Sequence, residues 1–219
     1  MTDEVLTEAE FVDGNEQADG KDAVFDIEPE DRMRAELYDF LAALLVRPPD
    51  AKLLKKVGAL SGDDTELGKA INVLARIARS SSAASVEREF HALFIGLGRG
   101  ELLPYASYYM TGFLNEKPLA TLRQQLPEFR ITRAPDVFEP EDQIASLCEV
   151  MAVLITGRFG QPASLARQGE FFNRHIGTWA EHFFSDLERA KNAVFFAPVG
   201  TTGRLFMNIE REAFRMTAG

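Results

Sequence analysis

The groups best suited to recognition chemistry lie between positions 101 and 123, directly after a glycine-punctuated turn. This segment places aromatic rings, hydroxyl groups and a rigid proline within a few residues of one another: Pro104, Tyr105, Ser107, Tyr108, Tyr109 and Phe113. It contains no nucleophile with a neighbouring base and no set of metal ligands. Such an inventory favours binding an extended peptide over breaking a covalent bond.

The histidines of the chain lack the spacing of a metal site. There are three of them, His91, His175 and His182, and no HExxH or CxxC motif accompanies them. The last two are seven residues apart, which is two helical turns, so they could share a helix face. We therefore predict structural or surface roles for the histidines, with no bound metal and no cofactor.

The glycine run at residues 96–100, GLGRG, resembles half of a phosphate-binding loop. It follows a predicted helix rather than a strand, and no Gly-Lys-Ser/Thr sequence comes after it. We interpret the run as a flexible hinge, and nucleotide binding at this turn is the alternative.

Three carboxylates, Glu139, Glu141 and Asp142, stand just before a predicted helix. Negative charge at this position is favoured by the helix dipole. Asp142 could also pair with an arginine of a partner protein. The two interpretations are compatible, and the sequence leaves both open.

A helically spaced stripe of Phe90, Leu93 and Phe94 precedes the glycine run. Such a stripe is typical of a helix that faces a hydrophobic core. Because it lies so close to Pro104 and Tyr105, it could instead line a groove.

The composition predicts one folded domain in a reducing compartment. The chain has 219 residues with 46% hydrophobic content and a single cysteine, Cys148, which cannot form an internal disulfide. No apolar run approaches the roughly 18–20 residues of a membrane helix. The acidic N-terminus has no basic or apolar region typical of a signal peptide. We therefore expect a cytoplasmic protein.

The negative charge is concentrated at the N-terminus. Residues 1–28 hold ten acidic residues and one lysine, whereas the rest holds 24 acidic and 23 basic residues. We predict that residues 1–28 form a disordered acidic tail, which either solubilises the protein or competes for a basic peptide. The nearly neutral remainder lacks the basic face of a nucleic-acid binder.

Residues 29–219 show helical periodicity throughout. Proline and glycine divide them into about nine to eleven segments, which predicts a single-domain, all-α helical bundle. Asp63-Asp64 and Ser85 are predicted to cap two of the helices. The clearest amphipathic pattern begins at Ile144. Residues 128–138 are predicted to form a loop, and no segment alternates as a strand does.

The run from Glu87 to Arg123 resembles the central signature of the TorD/DmsD/NarJ-like redox enzyme maturation chaperones. That signature is an aromatic-x-x-Leu-Phe helix, a glycine turn, an acid and a Pro-aromatic-x-Ser-x-Tyr motif. The matching positions here are Phe90, Leu93, Phe94, Glu101, Pro104, Tyr105, Ser107 and Tyr109.

Two further motifs support the resemblance. The family's Pro-x-Asp-His motif at the head of a helix corresponds to Pro140, Asp142 and Gln143, so a glutamine stands where the family has a titratable imidazole. Residues 175–179 resemble the family's His-Leu-x-Pro-Trp sequence, but Thr178 replaces the proline.

The resemblance implies a cytoplasmic chaperone that is not an enzyme and has no cofactor. It implies binding of the twin-arginine leader or the body of a molybdopterin oxidoreductase catalytic subunit, which is held back from export until its cofactor is inserted. The sequence of residues 104–120 is most similar to that of family members associated with formate dehydrogenase. We expect no nucleic-acid partner and no insertion into a membrane. The protein is expected to be a monomer or a homodimer.

The resemblance also implies that the two main motifs form the leader-binding groove. Its aromatic rings would bury the leader's apolar segment, while Asp142 and Glu101 would meet the arginines. The predicted peptide-binding residues are Phe90, Leu93, Phe94, Glu101, Pro104, Tyr105, Ser107, Tyr109, Asp142 and Gln143.

Two other functions are compatible with the residues. One is a small nucleotide-binding enzyme that uses the turn at 96–100. The other is a helical scaffold that binds a protein partner without a leader peptide. Tight binding of a twin-arginine leader would separate the chaperone from both.

Overall fold

Helices dominate the computed structural model, which describes residues 6–8, 25–135 and 137–217. These residues contain ten α-helices, a number within the predicted range, and the all-α fold class is confirmed. The helices are α1 (Pro29–Leu45), α2 (Ala51–Gly58), α3 (Glu66–Ser80), α4 (Ala83–Phe90), α5 (Ala106–Thr111), α6 (Lys117–Gln125), α7 (Ile144–Thr156), α8 (Leu165–His175), α9 (Ala180–Arg189) and α10 (Phe196–Thr217).

The starts of α3 and α4 differ slightly from the prediction. Thr65 caps α3 by accepting a hydrogen bond from the backbone three residues on, while Asp63 supports the Thr65 hydroxyl. Ser82 caps α4, and Ser85 returns a bond to the Ser82 backbone in a capping box. The predicted residues therefore take part in both caps, but each helix begins where a hydroxyl reaches an unpaired N–H.

Helix α7 is the core helix of the fold. Its residues from Ile144 to Ile155 are all buried, including Ser146 and Glu149, so the helix is covered on every side and not on one face alone. It packs along α1 and also contacts α8, while α9 packs along α10. Neither α7 nor any other described helix is long and apolar enough to cross a membrane.

Two short strands, which the sequence did not predict, pair antiparallel. Strand β1 (Leu6–Glu8) aligns Leu6 with Arg133 and Thr7 with Thr132 of strand β2 (Ile131–Arg133). Leu6 is only 3% exposed and joins the hydrophobic core. The prediction of a disordered tail over residues 1–28 was wrong at these three residues, because the Leu6 side chain is buried and the segment pairs with β2. Residues 1–5 and 9–24 lie outside the described residues, so the prediction is not tested there.

Candidate functional site

The aromatic stripe before the glycine run faces the core. After α4 the chain continues as a π-helical turn, His91–Ile95, which carries Leu93 and Phe94. Phe90 and Leu93 are buried, and Phe94 is half-buried. The rings of Phe90 and Phe94 lie 5.9 and 5.6 Å from the ring of Phe196. The structure therefore places this predicted groove wall largely in the interior, between α4 and α10.

The glycine run forms an exposed loop and not a phosphate cradle. Gly96 and Gly98 have φ values of 61° and 94°, in the left-handed region that glycine occupies at no steric cost. Leu97 between them is fully exposed. The loop follows the π-helical turn and no helix starts on it, whereas a phosphate loop needs a helix N-terminus. Arg99 extends from it to α5, where its guanidinium donates to the Tyr108 hydroxyl at 2.5 Å.

The two main sequence motifs meet directly, as the resemblance implied. A β-bridge joins Tyr105 and Gln143. The Ala106 N–H donates to the Asp142 carbonyl at 2.9 Å, and the Ile144 N–H donates to the Pro104 carbonyl at the same distance. We call this contact, formed by residues 104–107 and 142–144, the motif junction. It fixes the start of α5 against the start of α7.

Most predicted side chains of the motif junction are buried. Asp142 is 1% exposed, and its Oδ2 accepts a hydrogen bond from the Ser107 N–H at 2.8 Å. Gln143 caps α7 at the Ala145 N–H and donates to the Leu45 carbonyl at 3.3 Å. An external arginine could therefore reach Asp142 only if the motif junction opened.

Two buried atoms of the motif junction have no hydrogen-bond partner within the described residues. They are Asp142 Oδ1 and Ser107 Oγ. Unpaired buried polar groups are uncommon, because each loses its hydration without a compensating bond. The centre of the motif junction therefore contains a carboxylate oxygen and a hydroxyl group that form no hydrogen bond within the described residues.

Glu101 lies at the surface, but it already has bonding partners. Its carboxylate accepts from the Lys191 N–H and from the Asn192 side chain, both at 2.7 Å. Partial desolvation opposes ionisation, yet these hydrogen bonds keep the pKa of Glu101 below its usual value. Glu101 therefore anchors the segment between α9 and α10.

The acidic cluster before α7 divides into an internal and an external part. Glu141 is buried and receives two hydrogen bonds from the Arg123 guanidinium, at 2.9 and 2.7 Å. Glu139 is exposed and accepts a hydrogen bond from the Tyr105 hydroxyl. Of these two glutamates, only Glu139 presents its charge to solvent.

The exposed side of α5 is rich in aromatic and apolar groups. Tyr109 is half-buried between solvent and the Trp179 ring, 5.4 Å away, and its hydroxyl donates to exposed Asp186 at 2.9 Å. Burial, and then the bond to this carboxylate, raise the pKa of Tyr109 well above its usual value, so the phenol stays neutral. Met110 and Phe113 are exposed beside it, Phe113 by 70%.

We call this region the α5 surface, and we define it by its aromatic, apolar and acidic members: Tyr105, Tyr108, Tyr109, Met110, Phe113, Glu139 and Asp186. The site prediction included only Tyr105 and Tyr109. Phe113 had a detectable signal in the sequence, because a large apolar residue directly after a glycine is expected in a turn and not in the core. Asp186 had none, since it lies far away in the sequence.

His175 and His182 lie on different helices and do not share a helix face. His175 ends α8 and is buried, whereas His182 is exposed on α9. His175 Nε2 bonds to Gln125 Oε1 at 2.7 Å, and its carbonyl accepts from the Trp179 indole. Burial, with a contribution from Arg174, lowers the pKa of His175 to about 4. No group of three or more potential metal ligands occurs among the described residues.

One open cleft of the described residues lies away from the α5 surface. It measures about 630 Å³ and is bounded by α2, α3 and the start of α4, with Lys55, Arg79 and Ser82 as its main polar groups. None of the predicted site residues lines it. The candidate site is accordingly a surface and not a deep pocket.

Comparison with known proteins identifies the family. The family described as nitrate reductase delta subunit matches residues 60–185, a span that includes both main motifs. The chain belongs to this family. The relatives of this chain include the chaperone protein TorD of Aliivibrio fischeri, which is 27% identical over 189 residues, 76% of this chain and 88% of the relative. TorD of Vibrio cholerae is 26% identical over 170 residues, 68% and 77% of the two chains.

A solved structure supports the fold of this delta-subunit family member. A protein proposed to act in redox enzyme maturation in Archaeoglobus fulgidus superposes with a TM-score of 0.53 at 20% identity, over 80% of this chain and 94% of that chain. At this identity the match shows the fold alone. The curated relatives are named chaperones and not enzymes. The resemblance to the TorD-like family is confirmed.

Proposed function

We propose that the protein is a cytoplasmic chaperone for the catalytic subunit of a molybdopterin-dependent oxidoreductase. It binds the twin-arginine leader or the apo form of that subunit and delays export while the cofactor is inserted. The sequence of residues 104–120 favours formate dehydrogenase as the client class. The binding site in this proposal is the α5 surface.

The observation that carries the proposal is the position of the α5 surface on the motif junction. The hydrogen bonds of the motif junction fix the start of α5, which bears Tyr105 and Tyr109. The two tyrosine hydroxyls bond to Glu139 and Asp186, so aromatic rings and carboxylates lie side by side. A basic and apolar peptide is complementary to this combination.

The chemistry of the site divides between two kinds of group. Glu139 and Asp186 take the role that the resemblance assigned to Asp142 and Glu101, because Asp142 is buried and Glu101 binds the segment between α9 and α10. Exposed ion pairs contribute only about 0–1 kcal/mol each, whereas a buried aromatic anchor contributes about 1–4 kcal/mol. We therefore expect Phe113 and its neighbours to supply most of the affinity, and the carboxylates to supply specificity for arginine.

Calorimetry with a synthetic twin-arginine leader peptide tests this proposal. Phe113→Ser is expected to weaken binding about tenfold or more, and Glu139→Gln by a few-fold. The fold should remain intact, because both side chains are exposed. Glu212→Gln serves as the matched control, since its exposed carboxylate pairs with Arg215 on α10.

A leader with both arginines replaced by lysine should bind wild type more weakly, because lysine cannot form two parallel hydrogen bonds to a carboxylate. Equal affinities of wild type, Phe113→Ser and Glu139→Gln would place the site elsewhere. Absence of any leader binding to folded wild type would favour the helical-scaffold alternative.

A further inference from the structure

Strand β1 contacts the rest of the protein through backbone pairing and the buried side chain of Leu6. Its three residues align with β2, and Leu6 is buried where β1 contacts β2 and α7. Thr7 and Thr132 face each other on the other side of the pair, where Thr132 is exposed. A short extended peptide that inserts one apolar residue would make the same contacts.

Charge also matches across this pairing. Residues 1–28, which include β1, carry ten acidic residues and one base. The segment that receives β1, residues 123–133, carries Arg123, Arg130 and Arg133 but only one acid, Glu128. Arg123 and Arg133 lie against Glu141, so Arg130 is the exposed arginine of this segment that pairs with no carboxylate among the described residues. Through Arg130 the β2 edge is suited to an acidic and apolar segment and not to one rich in arginine.

The pairing is short enough to be exchanged. Two strands of three residues are marginally stable without further support, and the ladder itself uses backbone groups that every extended peptide has. Leu6 anchors β1 with a buried apolar side chain, whereas Thr7 is only partly buried. A competing segment therefore needs to match one apolar contact and a short ladder.

We propose that the β2 edge is a second peptide-docking site, and that β1 is its resident occupant. An extended apolar and acidic segment of the client displaces β1 and pairs with β2. This inference rests on the proposed function for the identity of the client, but its test does not need the client.

The β2 edge adjoins the α5 surface without coinciding with it. The Arg133 guanidinium donates to the Glu139 carbonyl at 3.4 Å and lies 3.9 Å from Glu141. Glu139 in turn accepts from Tyr105. One client could therefore place its basic leader on the α5 surface and a neighbouring acidic segment on β2, which would add effective concentration to both contacts.

A reversible lock tests the exchange in the full-length protein. Facing residues of antiparallel strands have Cα atoms about 4.5–5.5 Å apart, which suits a disulfide. The double variant Thr7→Cys/Thr132→Cys should therefore hold β1 on β2 when oxidised and release it when reduced. Cys148 is buried and should not interfere.

The probe is a fluorescent peptide with the sequence of residues 4–10, followed by anisotropy. It should bind the reduced double variant, and binding should fall at least tenfold after oxidation. The full-length variant Leu6→Asp, which removes the anchor of β1, should bind the probe at least tenfold more tightly than wild type. A probe that itself carries Leu6→Asp is the matched control and should bind at least tenfold more weakly.

Equal probe binding by the oxidised and reduced forms would overturn the inference. So would equal affinities of the two probes. A twin-arginine leader peptide added to the bound probe should leave it in place, and stoichiometric displacement would show that there is one site and not two. Failure of the leader to bind would contradict the proposed function, while the probe measurements would still decide the question of the β2 edge.

Discussion

Asp142 bonds within the protein, where it joins two segments that are distant in sequence. Its side chain accepts from the Ser107 N–H and its carbonyl accepts from the Ala106 N–H. A carboxylate can satisfy backbone donors as well as it satisfies a guanidinium, so the residue type alone does not identify the donor. In this protein Asp142 positions α5, and the surface that α5 carries depends on it indirectly.

Replacing Asp142 should therefore lower stability before it affects any contact with a partner. We expect Asp142→Ala to reduce the free energy of unfolding by about 1–3 kcal/mol, because the buried Ser107 N–H loses its acceptor. Asp142→Asn keeps an acceptor oxygen and should lose less. Urea denaturation measures both, with exposed Glu139→Ala as the control expected within about 0.5 kcal/mol of wild type. Unchanged stability of Asp142→Ala would show that the motif junction does not depend on this bond.

The buried imidazole of His175 should make stability depend on pH. Its pKa is about 4 in the folded state and about 6.5 in the unfolded chain, so between these values the unfolded chain binds more protons. Stability should accordingly be complete above pH 6.5 and fall as the pH drops towards 4, by up to about 3 kcal/mol. Denaturation curves of wild type and His175→Gln across this range should diverge, with the variant showing the shallower slope.

Carboxylates contribute a similar loss at lower pH, so a histidine control is needed. The bond from Arg211 lowers the pKa of Glu181, which therefore loses its stabilising charge as the pH falls below about 4.5. Exposed His182→Gln should retain the wild-type slope, because that ring is not buried. Identical slopes for wild type and His175→Gln would contradict the assignment.

Helix α10 begins at a cap that is supplied by another helix. The Glu89 carboxylate, on α4, accepts from the N–H groups of Val194, Phe195 and Phe196 at 2.7, 3.1 and 2.8 Å. These are N–H groups at the start of a helix, which have no intrahelical acceptor. The bonds also place a negative charge where the α10 dipole favours it. Helices α4 and α10 are therefore joined by a polar contact as well as by the Phe90–Phe196 ring contact.

Loss of this cap should loosen the start of α10. Glu89→Ala is expected to reduce the free energy of unfolding by about 1–3 kcal/mol, because three N–H groups lose a charged acceptor. Hydrogen exchange should increase at residues 194–196 and not at the centre of α10. Glu87→Ala, an exposed position on the same helix, should change neither quantity. Equal exchange at residues 194–196 in both variants would exclude a capping role.

Hydrophobic periodicity predicted the helices of the molecule, because each helix depends only on local residue spacing and on nearby prolines and glycines that end it. The ends of α1 and α7 at proline and glycine follow from this. The pairing of Leu6 with Arg133 and the cap from Glu89 to Phe196 were not predictable, since they join residues with no local signal. For the same reason the sequence predicted Tyr105 and Tyr109 in the candidate site but not Asp186, the partner of Tyr109.

The chain ends of the helical bundle are tied together by a buried polar network. The Arg34 guanidinium on α1 donates to both oxygens of Glu210 on α10, at 2.8 and 2.9 Å. Tyr38 also donates to Glu210 at 3.0 Å, and Gln168 of α8 accepts from Arg34 at 3.3 Å. Glu210 is only 1% exposed. The network therefore joins α1, α8 and α10 at one buried point.

Breaking this network on one side should be destabilising. Glu210→Ala leaves the Tyr38 hydroxyl without its acceptor and removes two hydrogen bonds of the Arg34 guanidinium, which keeps Asp31 and Gln168 as partners. This change is expected to lower the free energy of unfolding by about 1–3 kcal/mol. The double variant Arg34→Met/Glu210→Leu replaces the ion pair with apolar groups of similar size and should recover part of that loss. Glu212→Ala, at an exposed pair on the same helix, should stay within about 0.5 kcal/mol of wild type. Thermal and urea denaturation of the four proteins measure these differences, and a double variant less stable than Glu210→Ala would show that the polar contacts themselves stabilise the packing of α1 on α10.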